Sequence, residues 1–328
     1  MVFKNLHIST SKQQKTYMKN KVTEKFLADL IQEIDLKDPM HARRIKKDNE
    51  LILQIDNEQF ELLLSLIQKY FDTLNISISS VVTDYLKMIN DMRVQRFYYL
   101  KHGKYACDNQ QVAFDNVYSN NEIMSYYMNA LLISQLFWKH HFNMFVYFKQ
   151  QLKNHFNSED KINILDVGPG HGFFSYIVRT NIPNYNSIDI VDISEASMLM
   201  TQRMIGEVCP KTNYFNVDIF DYQPTKKYDL IILGEVIEHL DNPKEILKKL
   251  SDLLSPNGIL WVTAPTNAPA IDHVYLFRNG EEIIELINSS NLKVVKHTGF
   301  YSDDVTPEIA TSNKVTELIG AFCKKEIL

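Results

Sequence analysis

Apolar residues recur at helical spacing through the first half of the chain, where only one glycine and one proline interrupt the pattern. One such stripe consists of Phe60, Leu63, Leu64, Ile67 and Phe71. We therefore predict an all-helical region. The predicted helices are Gln14–Ile34, Asn57–Asn75, Ser80–His102 and Asn121–Asn154. Ser119 or Asn120 is the expected N-cap of the last helix.

The second half alternates short β-branched runs with helical segments. The predicted strands are INILDVG, SIDIVDI, TNYFNVD, YDLIILGEV, GILWVTA, LKVVKHTGF and ELIGAFCKK. Such alternation favours a parallel, doubly wound sheet, so we expect an α/β fold with seven strands. A helix near Glu281–Ser289 and a loop over Tyr301–Asn313 flank the sixth strand. The predicted organisation is a helical domain over 1–120, a connecting long helix over 121–157 and a sheet domain over 158–328.

The segment ILDVGPGHGFFS carries the first chemical signal. Asp166 ends a buried strand, and Gly168, Gly170 and Gly172 form a G-x-G-x-G turn before a helix. Glycine allows the backbone to turn sharply and to approach a ligand closely. Twenty residues after Gly172, Asp192 ends the second strand, where a carboxylate can accept both hydroxyls of a ribose. This spacing predicts a nucleoside site.

The same loop narrows the class of nucleoside ligand. No lysine follows it, so it is not a nucleotide-binding P-loop, and its spacing differs from the G-x-G-x-x-G of dinucleotide sites. Asp166 stands two residues before the first glycine, a position suited to a cationic ligand. Asp218, after the third strand, can accept a hydrogen bond from the exocyclic amine of an adenine. We expect a positively charged nucleoside cofactor.

These residues resemble the motifs of the class I S-adenosylmethionine-dependent methyltransferases over about residues 160–328. The resemblance assigns Asp166 to Gly172 to the first motif, Asp192 to the ribose and Asp218 to the adenine. It also implies the cofactor S-adenosyl-L-methionine and a Rossmann-like sheet in the order 3-2-1-4-5-7-6, with the last strand antiparallel. Other cofactor-binding residues that it implies are Ile193, Ile219 and Gly234.

The segment EVIEHL follows the fourth strand. Glu235, Glu238 and His239 are spaced i, i+3 and i+4, so a helical turn would put them on one face at the carboxyl edge of the sheet, near the acceptor. We take these three as the candidate catalytic residues, with His239 as general base or as the group that orients the acceptor.

An alternative for this segment is a metal site. The E-x-x-E-H pattern resembles those of the small-RNA 2′-O-methyltransferases and the ubiquinone-pathway O-methyltransferases, which bind a divalent metal there. His273 lies in a loop expected to return over the same edge. Two histidines with Glu235 and Glu238 would suit Mn²⁺, Fe²⁺ or Zn²⁺ better than Mg²⁺. EVxEHL also occurs in methyltransferases of this class without a known metal.

The role of the helical region follows from the same resemblance. Helices before the sheet in this class form a lid, an acceptor pocket or a homodimer interface. Candidate pocket residues are Tyr126, Tyr127, His140 and His273. The alternative is that the aromatic stripe of this region is only core packing.

Composition limits the partners. The 328 residues carry a net charge of −5, and residues 1–157 have 20 basic and 16 acidic side chains, leaving the second half strongly acidic. This balance argues against DNA, RNA and a membrane surface as partners. The three cysteines form no CxxC pair and the start lacks an apolar leader segment, so we expect a cytoplasmic protein.

The predicted function is methyl transfer from S-adenosylmethionine to a small molecule, with O- or N-methylation favoured over C-methylation. Two alternatives remain open. One is an RNA or protein methyltransferase, and the other is a non-catalytic protein that binds S-adenosylmethionine.

Overall fold

The computed structural model describes residues 23–326, so residues 14–22 of the first predicted helix lie outside the described part. The helical region consists of α1, whose described part covers 23–37, α2 (Pro39–Thr73), α3 (Ile78–His102), α4 (Gln110–Ala113), a π-helical turn (Phe114–Tyr118), α5 (Asn121–Phe137) and α6 (Lys139–His155). Within residues 23–326, no helix combines the length and apolar character needed to cross a membrane.

Helix α2 begins at Pro39, well before the predicted start at Asn57. Proline suits the first turn of a helix, and the Asp38 carboxylate caps it by accepting a hydrogen bond from the His41 backbone N–H over 3.0 Å. The helix is kinked next to the predicted start, because Asp56 has an extended backbone (φ −158°). The predicted start at Asn57 was therefore wrong.

The prediction of one continuous helix over Asn121–Asn154 was wrong. Asn120 caps α5 as expected, but the helix is interrupted at Trp138, whose backbone is extended (φ −99°, ψ 101°). The break lets α5 pack on α3 while α6 turns to pack on the sheet. On that side Phe148 stacks on Phe322 with ring centroids 5.9 Å apart. The domain boundaries remain a prediction.

The seven predicted strands are confirmed. They are β1 (Asn163–Val167), β2 (Ser187–Asp192), β3 (Thr212–Asn216), β4 (Tyr228–Gly234), β5 (Leu254–Thr266), β6 (Leu292–Tyr301) and β7 (Glu317–Lys325). The order is β3-β2-β1-β4-β5-β7-β6, with β7 antiparallel to both neighbours, as the resemblance implied. Parallel pairing brings the carboxyl ends of β1, β2 and β4 to one edge of the sheet.

Helices and short turns connect the strands. They are α7 (Phe173–Asn181), α8 (Glu195–Ile205), a 3₁₀ turn (Ile237–His239), α9 (Pro243–Leu253), α10 (Gly280–Asn288) and α11 (Pro307–Asn313). Helix α11 corrects the prediction of a loop over Tyr301–Asn313. Thr306 caps the helix and Pro307 occupies its first turn. The same residue types are common in loops, so they did not distinguish a short helix from a loop.

Two hydrophobic cores cover the two faces of the sheet. Neighbouring strand residues point to opposite faces, so Ile164 of β1 joins one core and Leu165 the other. The first core is continuous with the helical region, since it also contains Leu30, Phe60 and Phe142. This shared packing fixes the helices against the sheet and encloses a cavity at the carboxyl edge of the strands.

Candidate functional site

The glycine loop between β1 and α7 has the conformation that its sequence predicts. Gly168, Gly170 and Gly172 have φ angles of 63°, 58° and 74°, in the left-handed region that favours glycine. A Cβ atom at Gly168 would lie 2.8 Å from Val236, whereas one at Gly170 would meet no atom within 4 Å. The loop therefore leaves open space at Gly170 for a closely approaching ligand.

Two buried carboxylates stand beside this loop. Asp166 accepts a hydrogen bond from Ser175 Oγ over 2.7 Å, and Asp192 accepts from the Ser194 backbone N–H and from Ser197 Oγ. Burial raises the pKa of Asp166 to about 7, helped by the charge of Asp192, and burial raises the pKa of Asp192 to about 6. A cationic ligand would offset this desolvation and favour the ionised forms.

The other predicted cofactor-binding residues, Ile193, Asp218 and Ile219, follow the ends of β2 and β3. The pairing of these two strands ends at Asp192 and Asn216. Ile193 follows β2 with a 47 % exposed side chain, while Ile219 is buried. Asp218 accepts a hydrogen bond from the Phe220 backbone N–H over 2.9 Å. This end of the sheet therefore combines an exposed apolar side chain with a carboxylate.

The prediction that Glu235 shares one helical face with Glu238 and His239 was wrong. It follows Gly234, the last residue of β4, with a left-handed backbone (φ 56°), and the helical turn contains only residues 237–239. Its carboxylate accepts a hydrogen bond from Thr263 Oγ1 over 2.8 Å, and burial raises its pKa to about 7. Glu235 therefore does not continue the face formed by Glu238 and His239.

Glu238, His239 and His273 converge. Each contributes a potential ligand atom, and these atoms lie within 4.8 Å of one another. The backbone N–H groups of Val274 and Tyr275 both donate to the Glu238 carbonyl over 2.9 Å, which brings the His273 loop to the turn. The structure thus unites three of the four residues predicted as a metal site.

The Glu238 side chain is only 1 % exposed, and neither carboxylate oxygen has a hydrogen-bond partner among the described residues. Burial and the nearby carboxylates of Glu235 and Asp272 raise its pKa well above the usual range. A buried carboxylate without a hydrogen-bond partner is costly unless a cation or a proton neutralises it.

Both histidines are oriented by backbone carbonyls. His239 Nδ1 lies 3.0 Å from the Asp272 carbonyl, and His273 Nδ1 lies 2.5 Å from the Ala268 carbonyl. A carbonyl only accepts hydrogen bonds, so each Nδ1 carries a proton, and in the neutral imidazole Nε2 is then the atom with the lone pair. Such carbonyl contacts are typical of histidines that bind a metal.

Sequence analysis missed Asp272 and Tyr118. The buried Asp272 carboxylate accepts hydrogen bonds from the hydroxyls of Tyr118 and Tyr127 over 3.0 and 3.1 Å. Burial opposes its ionisation, but His239, His273 and these hydroxyls hold its pKa below the usual value. Asp272 directly precedes His273 and could have been suspected, whereas no sequence pattern marks Tyr118.

One cavity of about 500 Å³ is lined by residues of the glycine loop, of the helical region and of the cluster formed by Glu238, His239 and His273. Tyr127, His140 and His273 line it, as do Asp166, Gly168, Gly170, Gly234, Glu235, Glu238 and His239. Tyr126 is not among its lining residues, and its hydroxyl donates to Asp91 over 2.9 Å. Also outside the lining are Gly172, Asp192, Ile193, Asp218 and Ile219.

Comparison with known proteins agrees with this fold. A family model described as a methyltransferase domain matches residues 137–304, just over half of the chain. Malonyl-[acyl-carrier protein] O-methyltransferase 2 of Ilyobacter polytropus is 36 % identical over 104 residues, which cover 32 % of this chain and 39 % of that protein. Ubiquinone biosynthesis O-methyltransferase of Rickettsia felis is 25 % identical over 190 residues, which cover 52 % and 76 %.

Among solved structures, mitomycin 7-O-methyltransferase MmcR aligns with a TM-score of 0.51 at 10 % identity, covering 76 % of this chain and 71 % of that chain. At this identity the likeness shows the fold alone. The family match and the strand order lead to the same conclusion: the chain belongs to the methyltransferase domain family, with the fold of the class I S-adenosylmethionine-dependent enzymes.

Proposed function

We propose that this protein transfers a methyl group from S-adenosylmethionine to an oxygen of a small-molecule acceptor, and that a divalent cation at Glu238, His239 and His273 holds that oxygen. One observation carries the proposal. Two histidines and a buried carboxylate that makes no hydrogen bond within residues 23–326 line the same cavity as the glycine loop, with Nε2 of His239 3.8 Å from Oε1 of Glu238. The relatives reported above are both named as O-methyltransferases, which supports oxygen as the accepting atom.

The residues around the glycine loop fit the cofactor. Open space at Gly170 admits a close ligand, and the carboxylates of Asp166 and Asp192 suit a ligand that is positively charged and carries ribose hydroxyls. Asp218 would accept from the adenine amine. S-adenosylmethionine supplies an electrophilic methyl group on its sulfonium. The protein must therefore mainly align the acceptor oxygen and promote loss of its proton.

The donor set at the acceptor side consists of two imidazoles and one carboxylate, which suits Zn²⁺, Fe²⁺ or Mn²⁺ better than Mg²⁺. A cation there would lower the pKa of a bound hydroxyl. In this arrangement Asp272 and Ala268 keep the Nε2 atoms of His239 and His273 directed to the cation.

Two titrations test the proposal. Calorimetry with S-adenosylmethionine on chelator-treated protein should show binding, because the cofactor residues do not include the cluster. Electron paramagnetic resonance with Mn²⁺ should show binding to the wild type, and His273→Ala should abolish it. The exposed His297 gives a matched control, since His297→Ala should bind Mn²⁺ normally.

The outcomes separate the two parts of the proposal. Absence of S-adenosylmethionine binding would contradict the proposed activity as a whole. Binding of S-adenosylmethionine without binding of Mn²⁺, together with turnover that survives chelation, would contradict only the metal. In that case the free Nε2 of His239 would be the candidate general base.

A further inference from the structure

The charged side chains that line the cavity are separated by sign. The cations come from the helical region and are Arg44, Arg93, Arg96 and Lys139. Four acids come from the sheet and its loops, namely Asp166, Glu235, Glu238 and Asp272. One acid, Asp48, lines the helical side, where it lies 3.7 Å from Arg44. We call these four cations of the helical region the cationic wall of the cavity.

Three of these four cations are paired with carboxylates, and the fourth is held by backbone carbonyls. Arg96 donates only to backbone carbonyls, those of Asn267, Asn313 and Lys314, among the residues described. Arg44 lies beside Asp48 of the lining, and all three remaining cations pair with carboxylates outside the lining. These pairs are Arg44 with Asp303, Arg93 with Asp38 and Lys139 with Asp304.

Helix α6 begins at this wall. Its N-cap residue, Trp138, makes no side-chain capping hydrogen bond. In the described part of the chain, the backbone N–H groups of Lys139, His140 and His141 have no acceptor, and all three residues line the cavity. The first N–H groups of a 17-residue helix carry a partial positive charge and favour an anion.

His140 provides a second, independent sign of a ligand. Its side chain is only 7 % exposed, and its ring makes no hydrogen bond within residues 23–326. Trp138 stacks on the ring with centroids 5.8 Å apart. Burial, together with the neighbouring His141, Arg44 and Lys139, lowers its pKa well below the usual range, so the ring is neutral. A neutral imidazole still offers one N–H donor.

We propose that the start of α6, with His140, Lys139 and Arg44, is a subsite for an anionic group of the methyl acceptor, a carboxylate or a phosphate. The assignment of this anion to the acceptor rests on the proposed function. The acceptor would then be a small acid whose hydroxyl lies at Glu238, His239 and His273 while its acidic group lies at the helix. An acceptor lacking the acidic group would bind more weakly.

The test uses inorganic phosphate and acetate as probes, at constant ionic strength so that screening does not change. The chain has two tryptophans, and Trp138 lies at the subsite. We expect a saturable change in tryptophan fluorescence with a millimolar Kd, lost in Trp138→Phe. His140→Phe and Lys139→Met should each raise the Kd about tenfold, as expected for loss of a hydrogen bond or ion pair to a charged group. A stronger response to one probe identifies the kind of acid.

Two matched variants serve as controls. His155 lies at the other end of α6, and Lys47 pairs with Asp304 as Lys139 does, but neither lines the cavity. His155→Phe and Lys47→Met should leave the Kd within about twofold of the wild type, a difference of less than 0.5 kcal/mol. Calorimetry with S-adenosylmethionine on all four variants should show unchanged cofactor binding.

No saturable response to either probe would overturn the subsite, and so would equal weakening in His155→Phe and His140→Phe. If the anions fail while S-adenosylmethionine binds, only the subsite is wrong. If the anions bind as described while S-adenosylmethionine does not, the proposed function is wrong and the anion site remains.

Discussion

The Tyr118 hydroxyl lies 3.0 Å from Oδ2 of Asp272 and joins the helical region to the loop that follows β5. Tyr127 of α5 donates to the other carboxylate oxygen. The backbone carbonyl of the same aspartate accepts from His239 Nδ1. The helical region therefore takes part in orienting a residue of the candidate metal cluster, although its described residues contribute no ligand to the cluster.

This relationship makes Tyr118→Phe informative. The substitution removes one hydrogen bond to Asp272, and we expect Mn²⁺ affinity to fall about tenfold, the lower end of the effect of losing such an orienting contact. Binding of S-adenosylmethionine should not change. Tyr98→Phe is the control, because neither tyrosine lines the cavity and, of the two, only Tyr118 hydrogen-bonds to Asp272. Equal Mn²⁺ affinity in both variants would show that Tyr118 has only a packing role.

The two glutamates of EVIEHL should behave differently. Glu238 belongs to the converging cluster, whereas the Glu235 carboxylate is held by Thr263. We expect Glu238→Gln to weaken Mn²⁺ binding at least about 100-fold, since a charged ligand is lost, and Glu235→Gln to change it by less than about fivefold. Titrations of Mn²⁺ into the two variants compare them directly. A larger effect at Glu235 would contradict the three-residue site.

Gly170→Val should abolish S-adenosylmethionine binding, because the branched side chain would fill open space beside the loop. Gly103 offers a control with the same strain, since its φ is also positive (70°) and a Cβ there also meets no atom within 4 Å. Both variants should lose about 1 to 2 kcal/mol of stability. Only Gly170→Val should lose cofactor binding by calorimetry, and a similar loss in both would mean that strain alone is responsible.

Asp192→Ala should weaken S-adenosylmethionine binding by about 1 to 3 kcal/mol, because two ribose hydroxyls lose a charged acceptor. The exposed Asp221 lies in a neighbouring loop, and Asp221→Ala should bind normally. An unchanged calorimetric isotherm for Asp192→Ala would refute the ribose assignment.

The same carboxylates predict a pH dependence of stability without cofactor. The pKa values of Asp166 and Asp192 in the folded protein are about 7 and about 6, both above the ordinary value of 3.8. The folded state therefore binds more protons than the unfolded state across this window, and the free energy of unfolding contributed by these groups falls as pH rises through it. Urea denaturation at about pH 5 and about pH 7.5 should show a smaller decrease for Asp192→Asn than for the wild type. Asp221→Asn should leave the decrease unchanged.

The sheet could be predicted because its strands are buried, β-branched runs such as INILDV, bounded by clear turn residues. The break at Trp138 could not, because the neighbouring residues Phe137 and Lys139 carry no glycine or proline signal. Tertiary packing of α5 on α3 and of α6 on the sheet imposes it. The early start of α2 was predictable in principle from Asp38 followed by Pro39.

The candidate site was partly predictable for a similar reason. Glu238 and His239 lie within one turn, so sequence spacing placed them together. The approach of His273 depends on backbone hydrogen bonds from Val274 to Glu238, which follow from topology and not from spacing. The left-handed backbone of Glu235 breaks the expected face. A single-residue change of backbone conformation of this kind leaves no periodic signal.

The hydrophobic core that runs from Leu30 of α1 through Phe142 of α6 to Trp261 of β5 has a thermodynamic consequence. Helices and sheet bury their apolar surface against each other, so neither keeps its core when the other is lost. Melting should therefore proceed as one cooperative transition, with equal calorimetric and van't Hoff enthalpies. Cofactor bound at the sheet should then raise the melting temperature of the helices as much as that of the strands.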